Sequence, residues 1–120
     1  MNKQPICEVL PDGTKEWYQN GKYHRADGPA VEYADGAKDW FLNGNLHRVD
    51  GPAVEYPDGT KYWFLNGKLH RVDGPALEYA NGTKQWCLND KRCKPIEVFK
   101  DATHEQQIHM LCFYASEFLP

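Results

Sequence analysis

The chain repeats itself every 23 residues, and that period constrains the fold more than any single residue does. His24-Arg25, His47-Arg48 and His70-Arg71 each open the same phrase, His-Arg-x-Asp-Gly-Pro-Ala-x-Glu-Tyr, followed by a turn and Lys-x-Trp. Trp17, Trp40, Trp63 and Trp86 hold one position of the register, and Lys15, Lys38, Lys61 and Lys84 hold another. A unit of this length cannot bury its own apolar face, so neighbouring units must stack and bury it together. Units of about 6–23, 24–46, 47–69 and 70–93 therefore form one array, followed by a distinct segment, 94–120.

Within a unit the turn signals imply β-hairpins. Ala53-Val54-Glu55-Tyr56 is short and β-favouring, and Pro57-Asp58-Gly59 stops it. The chain returns through Lys61-Tyr62-Trp63-Phe64-Leu65, and Asn66-Gly67 turns it again into Lys68-Leu69-His70. Asp-Gly and Asn-Gly between such runs favour two-residue turns, because type I′ geometry needs φ > 0 at both central residues. Two such turns pair Tyr56 with Lys61, Val54 with Trp63 and Trp63 with His70. Side chains alternate along each strand. That register puts Val54, Tyr56, Lys61, Trp63, Leu65 and His70 on one face and Ala53, Glu55, Tyr62, Phe64 and Leu69 on the other. The tryptophans then form a continuous ladder, with a Glu32–Glu55–Glu78 row on the opposite side. A one-residue slip would exchange these faces.

The predicted fold is mainly β: a single-layer antiparallel β-hairpin repeat array with a C-terminal α-helical cap. Ile96 to Phe99 reads as a last strand, and Thr103-x-x-Gln106 as a capping box opening a helix. Ile108, Leu111, Cys112, Ala115 and Phe118 or Leu119 recur at helical spacing over about four turns. A solenoid needs its last rung covered, so this helix is expected to cap the array, with a dimer or partner helix as the other reading.

Composition narrows the chemistry. A net charge of −3 argues against wholesale nucleic-acid binding, for which a basic excess is usual. No apolar run reaches the roughly 18 residues of a membrane span. Met1–Pro5 carries no apolar signal region, so a cytoplasmic setting is expected, with Cys7, Cys87, Cys93 and Cys112 as reduced thiols. Three identical histidines one repeat apart cannot converge on one metal, whose ligands lie about 2 Å away. No catalytic motif, phosphate loop or Cys-x-x-Cys is present, so the chain is read as a non-enzyme without cofactor or metal.

The unit, with its Asp-Gly and Asn-Gly turns, aromatic strands and a histidine after the second turn, resembles the MORN repeat. It is similar to the variant form carrying Asn-Gly-x-Leu-His-Arg-x-Asp-Gly-Pro-Ala. The resemblance covers roughly residues 6 to 93 and implies a twisted single-layer sheet used for protein or lipid contact. Variant copies resemble antitoxin-like or phage-encoded proteins. This implies an inhibitor that masks a target protein, a bacterial enzyme or nuclease complex, in the host cytoplasm if phage-encoded. The alternatives are a scaffold at a membrane or cell structure and, more distantly, a nucleic-acid-binding protein or a hydrolase. The residues expected to bind the partner are Tyr18, Asp39, Phe41, Tyr62 and Phe64 on the second face, with Arg25, Arg48 and Arg71. The position of Tyr62 varies most along the array, reading Glu16, Asp39, Tyr62 and Gln85.

Overall fold

The computed structural model of the chain describes residues 4–119. The first unit contributes β1 (Ile6–Val9), β2 (Lys15–Gln19) and β3 (Lys22–Tyr23). The second contributes β4 (Val31–Glu32), β5 (Lys38–Asp39), β6 (Phe41–Leu42) and β7 (Asn45–Leu46). The third repeats this as β8 (Val54–Glu55), β9 (Lys61–Tyr62), β10 (Phe64–Leu65) and β11 (Lys68–Leu69), and the fourth as β12 (Leu77–Glu78), β13 (Lys84–Gln85), β14 (Cys87–Leu88) and β15 (Lys91–Arg92). Two short helices, α1 (Pro95–Asp101) and α2 (His104–Phe113), and a 3₁₀ turn (Ala115–Phe118) complete the described chain. The array of antiparallel hairpins with a helical cap is thus the architecture, 50 Å along its longest axis.

The main sheet runs β1-β2-β4-β5-β8-β9-β12-β13, with β3 beside β2. Each return strand bends at its tryptophan. Residues before it pair in the main sheet, and residues after it form a second row of hairpins, β6-β7, β10-β11 and β14-β15. The tryptophan backbone joins units at the bend: the Trp17, Trp40 and Trp63 N–H groups each donate to the alanine carbonyl of the next unit at 2.7 Å.

The second turn has the expected form. Asn66 and Gly67 both lie at positive φ (49° and 79°), and Phe64 pairs with Leu69. The first turn does not. Val54 pairs with Tyr62 and Glu55 with Lys61, so the loop is three residues, Pro57-Asp58-Gly59, with positive φ at Gly59 alone. The Asp58 carboxylate accepts the Thr60 N–H at 2.8 Å. Pro57 sets the first turn residue near φ −65°, and Asp58 binds its own backbone two residues on. Gly59 then takes the left-handed position of a bulged hairpin. The register slips by one residue, and the faces exchange as that slip requires. Val54, Tyr56 and Tyr62 share one face. Glu55, Lys61 and Trp63 share the other.

The corrected register builds a charge ladder. Lys15, Glu32, Lys38, Glu55, Lys61, Glu78 and Lys84 are successive cross-strand neighbours. Opposite charges directly across strands stabilise pairing, whereas a slip would set carboxylates against apolar or acidic residues. The glutamate row therefore lies on the tryptophan side.

The cap also departs from expectation. Ile96 to Phe99 is helical within α1, because Pro95 occupies the first turn and the Glu97 carboxylate accepts the Lys94 N–H at 2.9 Å. The Thr103–Gln106 capping box opens α2 as its spacing implies. That helix ends at Phe113, and its buried residue is Met110. Ile108, Leu111 and Cys112, expected to face the array, are exposed instead. The inward side is set by Trp86, Val98 and Met110, with Leu88, Cys93, Phe99, Tyr114 and Phe118 packed around them.

Candidate functional site

The strictly repeated residues assemble a sandwich on the tryptophan side. The Arg25, Arg48 and Arg71 guanidinium groups each lie 3.9 Å over the ring of Trp17, Trp40 and Trp63 respectively. A Cβ added at Gly28, Gly51 or Gly74 would come within 2.9, 2.8 or 2.7 Å of the same guanidinium carbon, so any larger residue there must displace the arginine from its tryptophan. Each arginine also binds the aspartate two residues on, the proline carbonyl four residues on and the next glutamate. A planar fork with five donors and a stacking face suits this place, and lysine would not. The expected ladder of tryptophans is thus one of tryptophan–arginine pairs. No Trp–Trp ring contact occurs among the described residues.

The histidines act in the same framework. His24, His47 and His70 each accept, at Nδ1, the backbone N–H of the asparagine that opens the second turn of the same unit, 19 residues on, at 2.9 to 3.0 Å. Since the His backbone N–H also donates to the tryptophan carbonyl of the preceding unit at 3.0 Å, each His ties the preceding hairpin to the second turn of its own unit. Among the described residues no cluster of three or more His, Cys, Asp or Glu is placed to hold a metal ion. Burial holds the Cys87 and Cys93 thiols above their usual range, which favours the protonated, unreactive form.

These contacts give Arg25, Arg48 and Arg71 a task inside the repeat. The Arg71 side chain is 8% exposed beneath Tyr114, whereas Arg25 and Arg48 keep 23% and 24% of theirs open. The other five sequence-chosen residues do share the opposite face. Tyr18, Phe41 and Tyr23 form one stacked group, with ring centroids 4.9 and 5.1 Å apart. Tyr62 sits between Tyr56 and Tyr79 at 5.7 and 6.0 Å. Phe41 and Phe64 are half-buried, and serve partly as floor.

The slip brings three more residues to this face. Tyr33, Tyr56 and Tyr79 are 42%, 44% and 39% exposed and stand one repeat apart, beside the variable row. They were legible in principle, since each precedes a three-residue Ala/Pro-Asp/Asn-Gly loop, but a two-residue turn hides them on the wrong side. Chemistry grades along the row. In the first units phenols meet carboxylates: Tyr18 and Tyr23 donate to Glu16 at 2.6 and 2.9 Å, and Tyr33 to Asp39 at 2.8 Å. The Glu16 bond pushes the Tyr18 hydroxyl pKa up, and desolvation together with Asp39 does the same to Tyr33. Desolvation also raises the Asp39 carboxyl above the usual carboxylate range. Further on, Tyr56, Tyr62 and Tyr79 make an uncharged aromatic patch. In the last unit Gln85 and Cys87 replace the larger rings, and a cavity of about 400 Å³ opens between Leu77, Tyr79, Cys87 and Arg92.

Comparison with protein-family models, with curated proteins and with solved structures returns no match. No helix among the described residues is long and apolar enough to cross a membrane.

Proposed function

We propose that the chain is a non-enzymatic protein-binding module that masks a surface of a target enzyme, of the antitoxin-like or phage counter-defence kind implied by its likeness to variant MORN proteins. The observation that carries this reading is the tyrosine face. Tyr33, Tyr56 and Tyr79 project from one line of a cross-braced sheet, beside positions whose chemistry changes from unit to unit. Tyrosines provide broad, amphipathic contact area with few rotatable bonds, which is why they are enriched at protein interfaces. A rigid sheet also loses little conformational entropy on docking.

The test is affinity capture from a bacterial lysate with the full-length chain, read by mass spectrometry, alongside liposome sedimentation. One stoichiometric enzyme whose activity falls on adding purified chain supports the reading. A Tyr33→Ser, Tyr56→Ser, Tyr79→Ser variant with unchanged circular dichroism should lose that complex. Liposome binding without such a complex moves the function to a membrane scaffold.

A further inference from the structure

The opposite side of the array carries two open grooves that are repeats of one another. The first, about 650 Å³, lies between the Arg25–Pro29 loop and Trp40, His47 and Val49. The second, about 530 Å³, lies between the Arg48–Pro52 loop and Trp63, His70 and Val72, with Gln106 and His109 of α2 at its wall. The same progression places a third groove beyond the Arg71 loop, at Trp86, Leu88 and Cys93. That one is filled by the chain itself. Tyr114 and Phe118 set their rings edge-on to Trp86 at 5.9 and 5.8 Å, and the Trp86 Nε1–H donates to the Glu117 carboxylate at 3.0 Å. The Tyr114 hydroxyl donates to Glu78 at 2.6 Å and accepts from Arg71 at 3.2 Å.

We propose that the open grooves at Trp40 and Trp63 are docking sites for a partner segment of the kind that the chain supplies to Trp86: a short helical turn presenting aromatic rings and a carboxylate, flanked by basic residues. The inference concerns the face opposite the tyrosine row and stands without that reading.

Three observations support it. First, the arginine that lines each groove keeps the same ion pair behind it. Arg25 with Glu32 and Arg48 with Glu55 repeat the Arg71–Glu78 pair that holds the Tyr114 hydroxyl. The Trp86 Nε1–H has its acceptor, but among the described residues the Trp40 and Trp63 Nε1–H groups have none. Second, the open surface is continuous with the cap interface. His109 Nε2, at the wall of the second groove, is buried and without a hydrogen-bond partner among the described residues, a state that native interiors rarely leave uncorrected. Val49 is 83% exposed and lines both grooves, an apolar side chain with nothing of its own chain to cover it. Third, charge separates the open grooves from the filled one. Ile96 stands in the third groove's register where Asp50 and Asp73 stand in the others. The Asp50 and Asp73 side chains are 87% and 40% exposed. The chain's own segment, Tyr114 to Leu119, carries no Lys or Arg and suits the groove without that aspartate. A partner for the other two should add a cation to face Asp50 in the first groove and Asp73 in the second.

The experiment titrates full-length protein, labelled with ¹⁵N, with the capped peptide Phe-Tyr-Ala-Ser-Glu-Phe-Leu and with the same peptide preceded by two lysines. The Trp40 and Trp63 indole N–H signals should shift saturably while Trp17 and Trp86 stay fixed. The lysine-bearing peptide should bind about threefold tighter at low salt, the size expected of exposed ion pairs. Replacing the peptide's Glu by Gln should weaken binding about fivefold, as for loss of one charge-assisted bond. Val49→Lys, at an exposed position that should leave the melting temperature unchanged, should weaken binding to both grooves. No shift at millimolar peptide, movement of Trp86 instead, or equal affinity for the Gln peptide overturns the proposal. Self-association of the free protein that Val49→Lys abolishes would also overturn it, by making a second copy the occupant.

Discussion

The two ends of the array carry the same repeat and are finished in opposite ways. At the first end β1 is exposed along its whole length, with Ile6 and Val9 at 68% and 64%, and Arg25 rests on Trp17 with open solvent beside it. At the last end Trp86 is 3% exposed, and Arg71 is enclosed by Trp63, Glu78 and the Tyr114 ring. Burial is therefore not a property of the repeated phrase. The phrase supplies a tryptophan–arginine–glycine sandwich, and whatever covers it decides how much each member is worth.

That contrast is sharpest at the arginines. Arg71→Ala removes a nearly buried cation and leaves the Glu78 carboxylate, still bonded by the Tyr114 hydroxyl, without its counter-ion, so it should cost about 3–5 kcal/mol, whereas Arg25→Ala, partly solvated, should cost about 1 kcal/mol. Urea unfolding of the two variants measures both. Equal costs would mean that the cap adds nothing to the last sandwich. A smaller difference is expected at the glycines. Gly74→Ala should cost about 2–3 kcal/mol, because the Arg71 fork is pinned, while Gly28→Ala should cost about 1 kcal/mol, because Arg25 can swing outward. Thermal melts of both variants check the order, and a reversal would show that the guanidinium moves freely at the capped end. The least effect belongs to the bare edge. Ile6→Lys should change stability by less than about 0.5 kcal/mol, since nothing is packed on it, and should suppress any edge-to-edge association seen in sedimentation.

Much of this was legible in the residues. The period, the hairpins, the Asn-Gly turns and the Thr103 capping box all rest on local backbone preference, and the structure repeats them unit by unit. Pro57-Asp58-Gly59 reads one residue short, because Asp-Gly alone favours a tight turn; what lengthens it is the side-chain oxygen of the loop's second residue accepting the backbone N–H two residues on, at Asp58 as at Asp35 and Asn81, where no proline precedes. That one residue moved Tyr33, Tyr56 and Tyr79 to the variable face and the glutamates to the tryptophan side. Ile96 to Phe99 likewise reads as a strand, although Pro95 before it, as the first residue of a helix, costs no hydrogen bond.

The sequence by itself determined the unit, because turns and strand pairing are short-range and a repeated phrase must give a repeated structure. Only the tertiary structure decided what the phrase is for. Arg71, Trp86 and Tyr114 are far apart along the chain, and their contact depends on how the end of the array meets a helix whose apolar residues lie on more than one side. Met110 faces inward rather than Leu111 because it packs with Trp86 and Val98 while Glu117 and Tyr114, farther along, are held by Trp86 and Glu78. Local preference carries no information about that choice, since packing is settled between surfaces that form only after each has folded.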